Sequence, residues 1–348
     1  VRTEILAATL GRRSWHRHPA DPSGLEARAT TAAVELLRKG DVVALPTETV
    51  YGLAADALNP IAVSRIFEAK ERPRFDPLIV HLPDQQWLER VAVVDKRSRA
   101  QIKKLIAQFW PGPLTLVLAR QPIVPEIVTA GLETVAVRMS SDPVFAEIIS
   151  AFGKPIAAPS ANRFGRISPT TAQHVFDELS GRIPLIIDAG PTMYGIESTI
   201  VAVHGDKIRI LRHGPITEEE LRGIGFQPMP DRQDADATCV HAPGQLPSHY
   251  APATAVQLVD DATLFVPKPN QTVALLAWNP HQNETPFTAI RHLSARQDLR
   301  EAAANLFRSL RELDDLDLDL IVAERVPAQG LGAAILDRLE RASHDSDN

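Results

Sequence analysis

Short apolar runs bounded by turn residues alternate along this chain with stretches of helical period, so strands and helices are both predicted. A first helix is expected over Thr31–Lys39, where Val34, Leu36 and Leu37 are apolar and Gly40 stands as a cap. Val42–Leu45 reads as a short buried strand. Asn59-Pro60 supplies the cap and first-turn residue of a second helix, with Val63, Ile66 and Phe67 facing inward and Lys70 at its end. Arg72-Pro73 stops that helix, because a residue before proline is pushed out of the helical region. Ser98–Phe109 is a further helix, broken by Trp110-Pro111-Gly112-Pro113, and another is expected from Ser168-Pro169 through Leu179. Strands are expected over Leu78–Leu82, Leu114–Ala119, Thr134–Met139, Pro155–Ala158, Leu185–Asp188, Ser198–Val203 and Ile208–Leu211.

This mixture places one α/β domain at about residues 24–224, and the short spacing between its last strands predicts a mixed sheet. Residues 1–23, with Pro19, Pro22 and scattered arginines, read as an N-terminal arm. Residues 225–252 carry Pro228, Pro230, Pro243, Pro247 and Pro252 and read as a linker. Beyond it, Thr272–Trp278 and Leu318–Ala323 are expected strands. Leu299, Ala303, Leu306, Leu310 and Leu313 form the stripe of a long helix, and Ala333–Ala342 a last one. That order predicts a smaller, mostly parallel, Rossmann-like second domain over residues 253–342. No repeat of solenoid spacing occurs.

A net charge of -6 argues against a surface coated in base for general nucleic-acid binding, while leaving room for a local basic cleft. Cys239 is the only cysteine, which excludes an internal disulfide or a cysteine-built zinc site and fits a reducing compartment. No apolar run approaches the length of a membrane span, and the first fifteen residues lack the apolar core of a signal peptide, so a cytoplasmic protein is expected.

No GxxxxGK[ST] loop, well-placed GxGxxG, HExxH or GxSxG elbow is present. The candidate chemistry is instead polar residues at strand ends and turns, where α/β sites gather. Lys70 and Arg72 could grip a polyphosphate, one as a point charge and the other as a planar fork; by themselves they read first as a solvated helix terminus, since surface Lys/Arg pairs are common. Ser160 and Asn162 of the PSAN turn could bond phosphate or ribose oxygens, or simply stabilise an ordinary turn. Thr47, Glu48 and Thr49 sit at a strand end, Ser198-Thr199 before an apolar run, and His81 at the close of a strand. Arg138 in TVAVR is either paired on a sheet face or aimed into a cleft, and Arg212 repeats the pattern at another strand end.

In order, PTETVYGL, KERP…PLIVH, WPGPLT, TVAVR, PSAN, ESTIV and LRHGPIT resemble the YrdC-type threonylcarbamoyl-AMP synthases. HYAP at His249–Pro252, followed by a second α/β domain, resembles their long, two-domain (Sua) form. The resemblance implies a twisted mixed α/β sheet around a cationic cavity. It also implies a reaction: L-threonine, bicarbonate and ATP give threonylcarbamoyl-adenylate and pyrophosphate. A partner transferase would then pass the threonylcarbamoyl group to tRNA, with weak tRNA binding by this chain. Carried over by motif, Lys70 and Arg72 bind the triphosphate, and Ser160 and Asn162 hold the nucleotide near its α-phosphate. Thr115 and Arg212 add nucleotide contacts. Ser168, at a helix start, adds backbone donors. Thr47, His81, Arg138 and Ser198 surround threonine, with Arg138 clamping its carboxylate through two parallel bonds. His249 and Tyr250 belong to a lid. Magnesium is implied on the phosphates, with no protein ligand assigned.

Three positions depart from the family pattern. Asp76 stands where asparagine is usual, PGQLPS precedes HYAP where a lysine and an aromatic are usual, and Ala328–Leu331 lacks an expected acid and base. The runner-up reading is an RNA-binding module without catalysis, which strong salt dependence without ATP turnover would mark. A carbamoyl-transfer enzyme of the hydrogenase-maturation type needs cysteine zinc fingers, which one cysteine cannot build.

Overall fold

The computed structural model describes residues 1–8, 25–204, 207–229, 250–280 and 286–343. The first domain is built on a twelve-stranded mixed sheet. Its strands are β1 (Glu4–Ala7), β2 (Val43–Leu45), β3 (Gly52–Asp56), β4 (Ile79–His81), β5 (Ala92–Val93), β6 (Leu114–Arg120), β7 (Thr134–Arg138), β8 (Ile156–Ala157), β9 (Leu185–Asp188), β10 (Thr199–His204), β11 (Lys207–Arg212) and β12 (Gln227–Pro228). They lie in the order β1-β9-β2-β3-β8-β4-β7-β6-β10-β11-β12, with β5 pairing β6 beside that path.

Both faces of the sheet are covered, and the alternation along each strand feeds two cores. Val43 and Leu45 of β2 pack with the helices Leu25–Arg38 and Pro143–Phe152 through Val34, Leu37, Phe145 and Ile149. Val42 and Ala44 face the opposite way, toward the helices Pro60–Lys70, Arg99–Phe109 and Ala172–Leu179. The helix Pro60–Lys70 starts as its sequence demands: Asn59 Oδ1 accepts from the Ile61 and Ala62 amides at 3.0 and 3.3 Å.

The second domain is an all-parallel sheet of β13 (Val256–Val259), β14 (Val273–Ala277), β15 (Ala289–His292) and β16 (Leu320–Glu324), ordered β13-β16-β14-β15. The helices Leu299–Asp314 and Leu331–Ser343 pack on it. Its core does not stop at the domain boundary. Val50, Ile167, Ile196 and Tyr250 join Leu306, Phe307, Leu310 and Ile335 in one apolar cluster. Gly195, at φ +69°, permits the contact, because a Cβ there would lie 2.6 Å from the Cα of Ala304.

Several expectations change. Residues 4–7 of the expected arm are a sheet strand, running parallel to β9 with Glu4 opposite Leu185. The helix expected from Ser168 begins at Ala172, with Thr171 as its cap. Within the expected linker, residues 227–228 form β12 against Lys207 and Ile208, and residues 230–249 lie outside the described residues. The first helix opens at Leu25, earlier than Thr31. Strand β3, sequence GLAAD, carried no strand signal because glycine and alanine form sheet only where neighbours supply the packing.

Candidate active site

The loops that leave β4, β7 and β8 and enter β3 and β10 converge with the end of β11 and with Tyr250. They enclose a cavity with about 540 Å³ of empty space, its mouth included. Parallel pairing of β4 with β7 sets His81 directly beside Arg138. Gly52 bridges to Ser160, and the missing side chain lets the PSAN turn approach: a Cβ at Gly52 would come within 3.2 Å of the Ala158 Cβ.

Of the residues singled out from sequence, Thr47, Arg72, His81 and Arg138 line this cavity, together with Ser160, Ser198, Arg212 and Tyr250. Lys70, Asn162, Thr115 and Ser168 are buried behind it, and each holds a wall element in place. Lys70 Nζ donates to the carbonyls of Ser160 and Asn162, each at 2.5 Å. Burial, and then the nearby Arg72, hold the Lys70 pKa well below its ordinary value. Asn162 Nδ2 donates to the Arg163 and Arg166 carbonyls at 2.8 Å, closing its own turn. Thr115 and Ser198 share a hydroxyl–hydroxyl bond of 2.8 Å. Ser168, expected at a helix start with free backbone donors, lies before the cap and donates its hydroxyl to Glu197. His249 lies outside the described residues.

Three guanidinium groups, Arg72, Arg138 and Arg212, face the cavity. Arg72 pairs with Asp76 at 2.8 Å and donates to the Pro77 carbonyl at 2.9 Å. Burial raises the Asp76 pKa, while Arg72, Lys70 and Arg212 oppose that rise. Arg138 pairs with Glu48 at 2.6 Å through Nη2 and donates to Thr49 at 3.3 Å through Nη1. The expected two-bond carboxylate clamp is thus partly occupied by the protein's own acid, and Ser140 also donates to Glu48. Arg212 donates to the Ser198 hydroxyl and carbonyl, both at 3.0 Å. The Thr47 hydroxyl donates to the Val50 carbonyl at 2.7 Å and accepts from the Thr49 and Val50 amides, so TETV is a self-bonded turn. His81 packs on Phe145 with ring centroids 4.7 Å apart, and burial keeps its imidazole neutral, its pKa well below 6.5.

Sequence reasoning missed Glu197, which lines the cavity, and Arg338, which pairs with it at 3.1 Å. Arg338 carried a readable signal: it falls on the apolar stripe Ala334, Ile335, Leu339, Ala342 of the last helix, where a lone arginine needs a buried partner.

Among the described residues no group of three or more His, Cys, Asp or Glu side chains is placed to hold a metal ion. No helix among them is long and apolar enough to cross a membrane.

Fold and cavity together define a class: a two-domain α/β protein whose site is a guanidinium-walled pocket suited to anionic ligands. Residues 35–214 match the family described as Telomere recombination (Sua5_yciO_yrdC), and residues 216–344 match the Threonylcarbamoyl-AMP synthase C-terminal domain. The chain is 38% identical over 320 residues to the threonylcarbamoyl-AMP synthase of Pyrococcus abyssi, covering 89% of this chain and 93% of the relative. It is 39% identical to that of Bacillus subtilis, covering 89% and 92%. The crystal structure of P. abyssi Sua5 complexed with L-threonine superposes with a TM-score of 0.84 at 35% identity, covering 98% of this chain and 97% of that one. This chain belongs to the two-domain, Sua5-type threonylcarbamoyl-AMP synthase family.

Proposed function

We propose that this protein is a threonylcarbamoyl-AMP synthase, which joins L-threonine, bicarbonate and ATP and releases pyrophosphate. The observation that carries the reading is the meeting of Arg72, Arg138 and Arg212 with Ser160 and Ser198 in one open-mouthed cavity, in a chain of this family.

The assignment divides the cavity in two. Arg138, Thr47 and Ser198, beside the neutral His81, take threonine, whose carboxylate meets the N–H groups that Arg138 keeps free of Glu48. Arg72, Arg212 and Ser160 take the triphosphate and ribose. Lys70 and Asn162 act through the PSAN turn they hold. The threonine amine attacks carbon dioxide derived from bicarbonate, losing a proton and forming a carbamate. A carbamate oxygen then attacks the α-phosphorus, and the bond to the β,γ-diphosphate breaks in line. Such a displacement depends on positioning and charge neutralisation, not on a covalent nucleophile. Magnesium, held by the nucleotide's own oxygens and by water, would supply further charge neutralisation beside Arg72 and Arg212. Tyr250, buried against Phe307 with ring centroids 5.5 Å apart, closes one wall and keeps water from a hydrolysable adenylate.

The adenylate is consumed by a transferase acting on tRNA, and a single cysteine fits a reducing cytoplasm. Pyrophosphate release by the purified chain tests the reading. Release should require both L-threonine and bicarbonate and fall sharply with L-serine; release indifferent to the amino acid would overturn it.

A further inference from the structure

Among the described residues lining the cavity, Glu197 is the one acid. A triphosphate entering that cavity meets its carboxylate as well as the three arginines. The group that answers Glu197 comes from the other domain. Arg338, on the last helix, is fully buried and lies 3.1 Å from Glu197 Oε2 through both Nε and Nη2. Its Nη1 donates to the carbonyl of His213, next to Arg212, at 2.5 Å, and also meets Asp337 at 3.0 Å. Its guanidinium carbon stands 5.5 Å from the centre of the Tyr250 ring. One side chain of the second domain therefore touches three cavity walls: the ESTIV turn, the end of β11 and the closing tyrosine.

Docking alone does not need an arginine. The neighbouring interface positions of this helix, Ala334, Ile335 and Leu339, are apolar. A buried ion pair is costly compared with apolar packing, while an unpartnered buried charge costs more still. A cation placed against the acid of a polyanion site supplies what apolar packing cannot.

Resting on the synthase reading, we propose that Arg338 is a positioning residue through which the second domain makes the cavity fit for ATP: it neutralises Glu197, braces Tyr250 and, through the His213 carbonyl, fixes the chain beside Arg212. The second domain is then part of the nucleotide site, although none of its described residues lines the cavity surface.

The test is a double-mutant cycle in the full-length protein. It reads magnesium-ATP binding by calorimetry alongside ATP KM and kcat for pyrophosphate release, with thermal unfolding as the folding control. Arg338→Gln should weaken ATP binding by about tenfold or more, equivalent to ~1.4 kcal/mol. Arg338→Lys, which keeps the charge, should recover most of that loss. In a Glu197→Gln background, Arg338→Gln should weaken binding by no more than roughly twofold, the size expected of an uncoupled site. Equal losses in both backgrounds, with lysine no better than glutamine, would reduce Arg338 to packing and overturn the proposal. If Arg338→Gln alone does not fold, the Arg338→Gln, Glu197→Gln double variant, which removes the ion pair whole, keeps the test: ATP binding within roughly twofold of Glu197→Gln alone supports the proposal, and a loss of about tenfold or more overturns it. Coupled ATP binding without threonine-dependent release would sink the synthase reading and leave Arg338 standing; no ATP binding by the parent protein would sink both.

Discussion

Replacing Lys70 by methionine separates two roles that the sequence motif runs together. In KERP the lysine reads as a phosphate ligand, yet in the fold its ammonium donates to the carbonyls of Ser160 and Asn162 at 2.5 Å and lies outside the cavity lining. Methionine fills similar space and removes both bonds. Hydrogen bonds from a charged group are worth roughly 1.5–3 kcal/mol each, so the pair is worth about 3–6 kcal/mol before any offset. The offset is real: burial is the largest influence on the Lys70 pKa and lowers it, so deleting the charge also removes a desolvation cost. The low end, about 3 kcal/mol, is therefore expected, corresponding to a melting-temperature drop of roughly 6–12 °C for a domain of this size. Released from its staple, the PSAN turn should also lose the placement of Ser160, lowering kcat as well as raising ATP KM. Thermal unfolding and pyrophosphate release against ATP concentration measure both. A variant that melts within about 1 °C of the parent while its ATP KM climbs more than tenfold would show that Lys70 is a direct phosphate ligand and that the staple argument is wrong.

Two further outcomes follow from the same geometry. Glu48→Ala leaves Arg138 buried without its charge partner, a loss of about 3–5 kcal/mol; denaturant unfolding should show it, with threonine-dependent turnover falling more than ATP binding. Acid should weaken the fold through His174. Burial, and then Arg311, lower its pKa from 6.5 to about 4, so the unfolded chain binds a proton there that the folded chain does not. Stability is therefore full above pH 6.5 and declines as pH falls toward 4. Buried His81 acts in the same direction. Melting curves across that window should flatten in His174→Gln, and an unchanged slope would remove His174 from the account.

The sequence by itself determined what is local or periodic. Asn59-Pro60 fixed a helix start, the apolar stripe from Leu299 to Leu313 fixed a long helix, and the β-branched runs at 134–138 and 199–203 fixed strands; each signal lies within a few residues. Eight side chains lining the cavity, Thr47, Thr49, Arg72, His81, Arg138, Ser160, Ser198 and Arg212, were legible in the same way, because their motifs end strands or form turns, whereas Tyr250 was marked only by the resemblance of HYAP to the family. The tertiary structure decided which polar groups face the cavity and which stand behind it. Lys70 and Arg72 are two residues apart, yet one staples a turn some ninety residues away and the other lines the pocket. The same holds for Glu4–Ala7, which became a strand only because β9 offered an open edge, and for β3, whose Gly-Ala sequence is a strand only between β2 and β8. Arg338 and Glu197, 141 positions apart, are joined by domain packing alone. A buried charge is tolerated only where a partner meets it, and that partner is chosen by the fold.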